Sequence, residues 1–406
     1  MVKQRRRCQL VAHIGGIWIA SALWAVLASP QFSVRAQVDA LVPVPSAEIA
    51  VEAAWDEAVV RDREKLQQAV TASLRYLNTP SARADYRDYP IEGITLERVR
   101  DSLLRFHTLL DSARTDTDLQ AAVLEEFEFY QAVGTDGQGT VEITGYFTPT
   151  YRASRTPTDE HRYPLFQVPS NFAEWQIPHP TRQELEGTDG LQGQQGLLAG
   201  QELVWLSDRL EAFLIQVQGS AQLELEDGGT LSVGYAGGTD YPYTSIGKQL
   251  VADGVFTLEE LTLPKVLDHF AQNPAHLDDY IPRNQRFVFF EETTGSPPLG
   301  SLGVPVVAGR SIATDKTLMP PGALALLNGL LPQRQADGSV VLAETRRFVL
   351  DHDTGSAIQG PGRVDVFSGI GDEAKAIAGD INHTGQLFYL LLKEDECSRN
   401  FPQNSS

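Results

Sequence analysis

At Gly134 the chain changes its hydrophobic period, and that change limits what it can fold into. From about residue 47 to Val133 apolar residues recur at helical spacing. Leu66, Val70, Leu74 and Leu77 make one apolar stripe, and Leu96, Val99, Leu103, Phe106 and Leu110 make another. Asn78-Thr-Pro80 ends the first stripe, and Thr115-Asp-Thr-Asp118 reads as a capping box opening a third helix. Beyond Gly134 the pattern is short strands and turns. Thr140 to Phe147 alternates, and Glu202–Trp205, Ala212–Gln218, Ala221–Leu225 and Thr230–Tyr235 follow as strand-like runs. Asp227-Gly-Gly229 is a hairpin signal between the last two. A helical insert is expected over Thr257–Gln272, with Leu261, Val266 and Phe270 apolar, before strands return at Arg286–Glu291, Val304–Val307, Val340–Leu342 and Arg347–Leu350. Helices first and dense short strands afterwards predict a mainly β chain with N-terminal helices (α+β), its strands in β-barrel domains and not in a parallel α/β sheet.

With 406 residues, 42% of them hydrophobic, the chain can bury one large core or two medium ones. A basic start, Met1 to Arg7, precedes the apolar run Ile14–Ala28, and Val34-Arg35-Ala36 offers small residues for cleavage. Residues 1–36 are therefore expected to be a signal peptide, removed on export to the periplasm or cell envelope. A retained anchor is the alternative, but the run is short for a hydrocarbon core of roughly 30 Å. Cys8 lies ahead of the apolar run, so no lipobox and no lipid anchor are expected. Cutting after Ala36 removes Lys3, Arg5, Arg6, Arg7 and Arg35 and no acids, which leaves 28 basic against 53 acidic residues, a formal charge of −25. Such acidity argues against nucleic acid as a partner. Cys397, in a polar tail over 396–406, is then the one remaining thiol, so the fold must stand on its core. Residues 37–46 read as a linker without period.

The chemistry-bearing stretch is Asp353-Thr-Gly-Ser-Ala-Ile-Gln-Gly360 with Arg363-Val-Asp-Val-Phe-Ser-Gly-Ile-Gly371, which sets Asp353 and Asp365 twelve positions apart among glycines. Asp365 lies between Val364 and Val366-Phe367, so if the valines pack inward the carboxylate faces a groove or solvent. A plain turn-forming role competes for an Asp-Thr-Gly alone. Gln216, Gln218 and Ser220 alternate with Ile215 and Val217, which on a strand puts both amides on one face. Amides suit sugar hydroxyl and acetamido groups, and a solvated strand face is the competing reading. Tyr235 to Tyr243 gathers three tyrosines, including Tyr235 and Tyr243, in a Gly/Pro-bearing loop that could stack on sugar rings or be buried. Asp353-Thr-Gly-Ser also matches the aspartic-protease triplet, but that chemistry needs a second such loop and the chain has one. Eight scattered histidines with no H-x-x-x-H pair give no reason to expect a metal or cofactor.

Taken in order, the blocks Thr144–Pro149, Tyr163–Leu165, Ile215–Ser220, Gly234–Gly237 with Tyr243–Gly247, Phe287–Phe290, Ser311–Asp315, Pro320–Gly322 and Asp353–Gly371 resemble the membrane-bound lytic murein transglycosylase A (MltA) family over about residues 90 to 395. The C-terminal blocks look like the three-aspartate (3D) domain, whose acids would be Asp315, Asp353 and Asp365. This resemblance implies a double-psi β-barrel built from both chain ends, over 47–150 and 286–395, with a second β-barrel domain inserted at 151–285 and a groove between them. It implies a lyase that cleaves the β-1,4 bond from N-acetylmuramic acid to N-acetylglucosamine without water, leaving 1,6-anhydromuramic ends. Asp365 matches the catalytic acid, with Asp353 and Asp315 as supporting acids. Thr144, Tyr146, Gln216, Gln218, Ser220, Tyr235 and Tyr243 are the expected glycan contacts. Peptidoglycan strands are the expected partner of a monomer, with the wall-building machinery a further one. A non-catalytic wall-binding protein is the alternative. The chain departs from the family in lacking a lipobox and in carrying Gln359 with Pro361-Gly362 where relatives often have a Lys.

Overall fold

A computed structural model of the chain describes residues 40–50, 55, 61–293, 298–335, 337–355 and 357–394. The expected signal peptide and the polar tail with Cys397 lie outside the described residues. The apolar stripes form helices Arg63–Leu77 and Leu96–Ser112, with a short helix Pro80–Asp85 between them and Asp116–Glu126 after. Thr115 and Asp118 make the expected reciprocal capping box, each side chain accepting the other's backbone N–H. Leu66, Val70, Leu103, Phe106 and Leu110 are fully buried, and the Phe106 ring lies 4.9 Å from Phe348 of the sheet beneath.

Among the described residues, fourteen strands follow in chain order as β1 (Leu41–Val44), β2 (Phe127–Ala132), β3 (Val141–Thr148), β4 (Thr150–Ser154), β5 (Tyr163–Phe166), β6 (Glu202–Leu206) and β7 (Ser220–Leu225), then β8 (Thr230–Gly238), β9 (Val288–Thr293), β10 (Ser311–Ala313), β11 (Leu324–Arg334), β12 (Val340–Asp353), β13 (Arg363–Ile370) and β14 (Asn382–Leu392). The order β14-β11-β12-β10-β13-β3 closes on itself through a β3–β14 pairing, which makes a six-stranded barrel. Two of its pairings are parallel, β13 with β3 and β10 with β12, and the rest are antiparallel. Only β3 comes from the N-terminal part, so the barrel is assembled from both ends of the chain. The far half of β14 leaves β3 and pairs with β2, which carries β1 on its other edge.

The chain between β3 and β10 holds a second sheet, β5-β6-β4-β7-β8-β9. Its outer strands are joined by side chains, with Phe166 of β5 packed against Phe287 and Phe289 at β9. Asp227 makes the β7–β8 hairpin turn, its carboxylate accepting from Gly229 N at 2.9 Å.

Several expectations are corrected here. Ala212–Gln218 is not a strand but the body of helix Arg209–Gln218, started by Asp208, which caps Leu210 N and Glu211 N, and stopped by Gly219 in the left-handed region at φ 78°. Val304–Val307 forms no strand, only an isolated bridge from Pro305 to Leu299. Leu41–Val44, read as linker, is β1, and the helical stretch stops at Glu126 because Phe127–Ala132 is β2. The expected insert helix spans only Leu263–Gln272. β9 belongs to the second sheet, so that sheet reaches beyond residue 285.

Candidate active site

Parallel pairing of β3 with β13 sets Thr144 opposite Asp365 and Tyr146 opposite Phe367. On β3 the period of two gives Glu142, Thr144 and Tyr146 one face and Gly145 the other. Gly145 has to be glycine, because a Cβ there would sit 2.7 Å from Ala378 Cα and 2.8 Å from Ala378 O in the helix Gly371–Asp380 packed behind the strand. The Thr-Gly-Tyr motif thus presents two hydroxyls forward and a bare backbone behind.

Ala313 in β10 pairs with Asp353 on one side and with Asp365 on the other. The two aspartates are therefore two strand spacings apart, about 10 Å between Cα atoms. Their surroundings differ. Asp353 Oδ1 accepts from Ser301 N and Thr354 N, each at 2.8 Å, and its Oδ2 accepts from the Tyr146 hydroxyl at 2.9 Å. Burial raises Asp353 above the ordinary carboxyl range, against the pull of those three donors and of Lys316. Asp365 Oδ1 accepts the Thr144 hydroxyl and lies 3.6 Å from Arg363 Nε. No hydrogen bond reaches its Oδ2 among the described residues. Burial pushes Asp365 up, the Arg363 guanidinium and the Thr144 hydroxyl pull it back, Asp353 adds a further push, and the outcome is a raised value. Its side chain is 18% exposed.

Asp315 behaves in the opposite sense. Burial works to raise it, but bonds from Thr317 Oγ1 (2.6 Å), Gly360 N (2.8 Å) and Thr317 N (3.0 Å) win and hold it below the ordinary range. It ties the loop after β10 to the loop before β13. Beneath it Asp351, fully buried, is ion-paired with Lys316 and accepts from Thr314 Oγ1 and Tyr389 Oη, each at 2.7 Å.

The expected glycan contacts divide. Because residues 209–218 are helical, Gln216 and Gln218 do not share a face as strand residues would. Gln216 is buried, its Oε1 accepting from Arg182 Nη2 (2.8 Å) and Val288 N (3.1 Å) inside the second sheet. Gln218 turns toward the barrel, with Oε1 3.5 Å from Phe147 N, and Ser220 Oγ meets Thr148 Oγ1 at 3.3 Å. Thr148, Ser220, Gln222, Ser232, Thr293 and Ile370 help line a cleft between the two sheets. Tyr235 is 52% exposed, with its hydroxyl 3.4 Å from Arg286 Nη2, whereas Tyr243 is partly buried. Arg363 and Glu142 were not singled out from the sequence, although each stands two positions from a candidate residue and so on the same strand face. Ser301 acts through its backbone and leaves no sequence signal. Among the described residues the one His/Glu group with metal-ligand spacing is Glu160, His161 and Glu226, in the β4–β5 loop and the β7–β8 turn, outside this site.

Comparison with known proteins agrees with this architecture. Residues 142–291 match the MltA specific insert domain and residues 310–391 match the 3D domain. The structures of a membrane-bound lytic murein transglycosylase from Agrobacterium tumefaciens (TM-score 0.65, 23% identity, 83% of this chain and 95% of that one) and of Escherichia coli MltA with bound chitohexaose (TM-score 0.64, 24% identity, 87% and 95%) share the fold. In sequence, membrane-bound lytic murein transglycosylase A of Escherichia coli K12 is 31% identical over 265 residues, 64% of this chain and 68% of that protein. The Vibrio cholerae protein of the same name is 30% identical over 318 residues, 76% of this chain and 82% of that protein. A barrel closed from both chain ends, the inserted second sheet and this extent of identity together show that the chain belongs to the membrane-bound lytic murein transglycosylase A family.

Proposed function

We propose that Asp365 is the single acid and base of a peptidoglycan lytic transglycosylase, acting on glycan strands in the cell envelope. The observation that carries this reading is the contrast between two neighbouring buried acids: Asp353 has three donors on its carboxylate, whereas Asp365 has one hydroxyl donor and, among the described residues, keeps Oδ2 clear. A glycosidase that uses water or a glycosyl-enzyme needs two working carboxylates. Here the muramyl C6 hydroxyl is the nucleophile, and the substrate itself supplies its proximity. Asp365, whose protonated form burial favours, gives its proton to the glycosidic oxygen as the bond from C1 to that oxygen breaks. The carboxylate then takes the proton of the C6 hydroxyl as O6 bonds to C1. The 1,6-anhydro ring closes, no water is consumed and Asp365 regains its proton.

Thr144 and Tyr146 would act through the acids, and Gln218, Ser220, Tyr235 and Tyr243 border the face on which a glycan would lie. Gln216 would hold the second sheet beneath it. Among the described residues no helix is long and apolar enough to cross a membrane. A monomer exported by its N-terminal segment, with the barrel and the inserted domain flanking the glycan, completes the proposal. The test is digestion of murein sacculi by the purified protein, with mass spectrometry of the soluble products. Ends carrying 1,6-anhydromuramic acid, lost in Asp365→Asn, are the expected result. Reducing-end products would mean a hydrolase, and binding without release a wall-binding protein, and either overturns the reading.

A further inference from the structure

Asp365 is one of four charged or polar residues that the parallel register of β3 and β13 sets on one sheet face, and the reaction as described uses only two of them. Arg363 pairs with Glu142, and Asp365 pairs with Thr144. The Arg363 guanidinium spans the group. Its Nη1 donates to Glu142 Oε2 at 2.8 Å, its Nη2 donates to Thr144 Oγ1 at 3.0 Å, and its Nε stands 3.6 Å from Asp365 Oδ1. The Nε–H is buried and, among the described residues, has no hydrogen-bond partner.

Two consequences follow from donor chemistry. An arginine nitrogen can only donate, so the Thr144 oxygen must accept from Arg363, and its own proton is then directed at Asp365 Oδ1. That leaves Oδ1 as an acceptor, and the transferable proton of Asp365 sits on Oδ2, the oxygen clear of other bonds. Second, a buried N–H left unpaired in the resting state needs an explanation. At 3.6 Å it makes no bond to a neutral carboxyl. A shift of about 0.7–0.9 Å would bring it to an ionised one, where a charge-assisted bond is short and strong.

We propose that Arg363 is a positioning residue for the reaction: it aims the Thr144 hydroxyl at Asp365 and closes its unpaired Nε–H onto the carboxylate that appears when Asp365 gives up its proton. The contact strengthens only as charge develops, so it favours turnover over substrate binding. This rests on Asp365 being the acid. Glu142, exposed at the open end, anchors the far side of the guanidinium. The other charged or titratable groups facing this cluster are Asp353 from β12, Lys316 beside it and Tyr146 from β3.

The test is steady-state kinetics on a defined glycan across pH for the wild type, Arg363→Met, Thr144→Val, Thr144→Ser and Asp365→Asn. Arg363→Met keeps the aliphatic stem and removes both donors and charge. Its expected signature is a kcat lowered about ten- to hundred-fold, KM within about two-fold, and an alkaline limb moved to higher pH, because the guanidinium favours the ionised carboxyl. Thr144→Ser, which keeps the hydroxyl, should lose less than Thr144→Val. An unmoved limb with unchanged kcat, or a loss confined to KM, overturns the role of Arg363. Should Arg363→Met fail to fold, the Thr144 pair decides, since equal activity of Val and Ser would remove the oriented hydroxyl. Asp365→Asn separates the two readings: an inactive variant beside an unaffected Arg363→Met sinks only this inference, whereas an active Asp365→Asn sinks the acid itself.

Discussion

Asp365 and Asp315 sit on neighbouring loops and strands, yet their environments push them in opposite directions, and stability should report the difference. The folded value of Asp365 is raised, so the fold prefers its neutral form. That contribution is fully present below the unfolded carboxyl value of about 3.9 and is lost as pH rises through the folded value. Asp365→Asn is neutral throughout and keeps an acceptor for Thr144. At pH 7 it should therefore match or exceed the wild type in urea midpoint while being inactive, with the gap closing toward pH 4. A midpoint well below the wild type at pH 7 would mean that the carboxylate is held more favourably than its burial implies. Asp315 has a lowered folded value, so its contribution is present above about 3.9 and is lost as pH falls through that folded value. Asp315→Ala strips three hydrogen bonds from a partly exposed carboxylate and should cost about 1–3 kcal/mol at pH 7. Urea unfolding measures it, and a neutral effect would show that the loop junction holds without the acid.

Among the elements, the pair most exposed to a single substitution is β3 with the helix Gly371–Asp380. Gly145 meets Ala378 through backbone atoms, Cα and O, so a methyl group at 145 has to displace the helix or bend the strand. Gly145→Ala should cost about 1–3 kcal/mol and should lower turnover as well, since Thr144 and Tyr146 flank it and reach Asp365 and Asp353. Ala378→Gly in the same chain should not restore stability, because the clashing atoms remain. Rescue by Ala378→Gly would show that the Ala378 side chain, and not its backbone, sets the spacing. How legible these elements were follows the strength of their local signals. The two long helical stripes, the Thr115 capping box and the β7–β8 hairpin were readable because period and cap chemistry agreed. The helix Arg209–Gln218 was misread because Ile215-Gln-Val-Gln218 alternates, although Asp208 ahead of it and Gly219 after it are start and stop signals that outweigh four residues of alternation. β1 is four residues long with only Leu41 buried, and such an edge strand carries little pattern. The face shared by Glu142, Thr144, Arg363 and Asp365 depends on a parallel register between segments 221 residues apart, which no local pattern encodes.

At the scale of the whole molecule, the N-terminal helices are bound to the barrel and its β2 extension by buried and half-buried polar contacts as well as by apolar packing. Arg98 donates to Leu392 O at 3.1 Å and to Glu128 at 2.6 Å, Ser102 Oγ accepts from Leu392 N at 2.7 Å, and the Tyr86 and Tyr89 hydroxyls reach Pro321 O and Leu318 O, each at 2.7 Å. His352 is the most pH-sensitive of these joints. It is fully buried one residue before Asp353, with Nε2 2.8 Å from Ser73 Oγ of helix Arg63–Leu77 and Nδ1 2.8 Å from Ser311 Oγ of β10. Burial, with Lys316 adding to it, lowers the imidazole to about 3. The unfolded chain takes up this proton near pH 6.5 and the folded chain refuses it down to about 3, so the joint is intact above about 6.5 and loses stability as pH falls between those values. The expected slope is about 1.4 kcal/mol per pH unit from this one group. Between pH 7.5 and 5.0 that amounts to about 2 kcal/mol, and His352→Asn, which cannot take up the proton, should lack that part of the decline while being less stable at pH 7.5. Urea unfolding of both proteins at the two pH values measures it. Parallel declines would show that other groups set the acid sensitivity; a shallower decline in the variant would make the union of helices and barrel, and with it the strand that carries Asp353, dependent on a neutral His352.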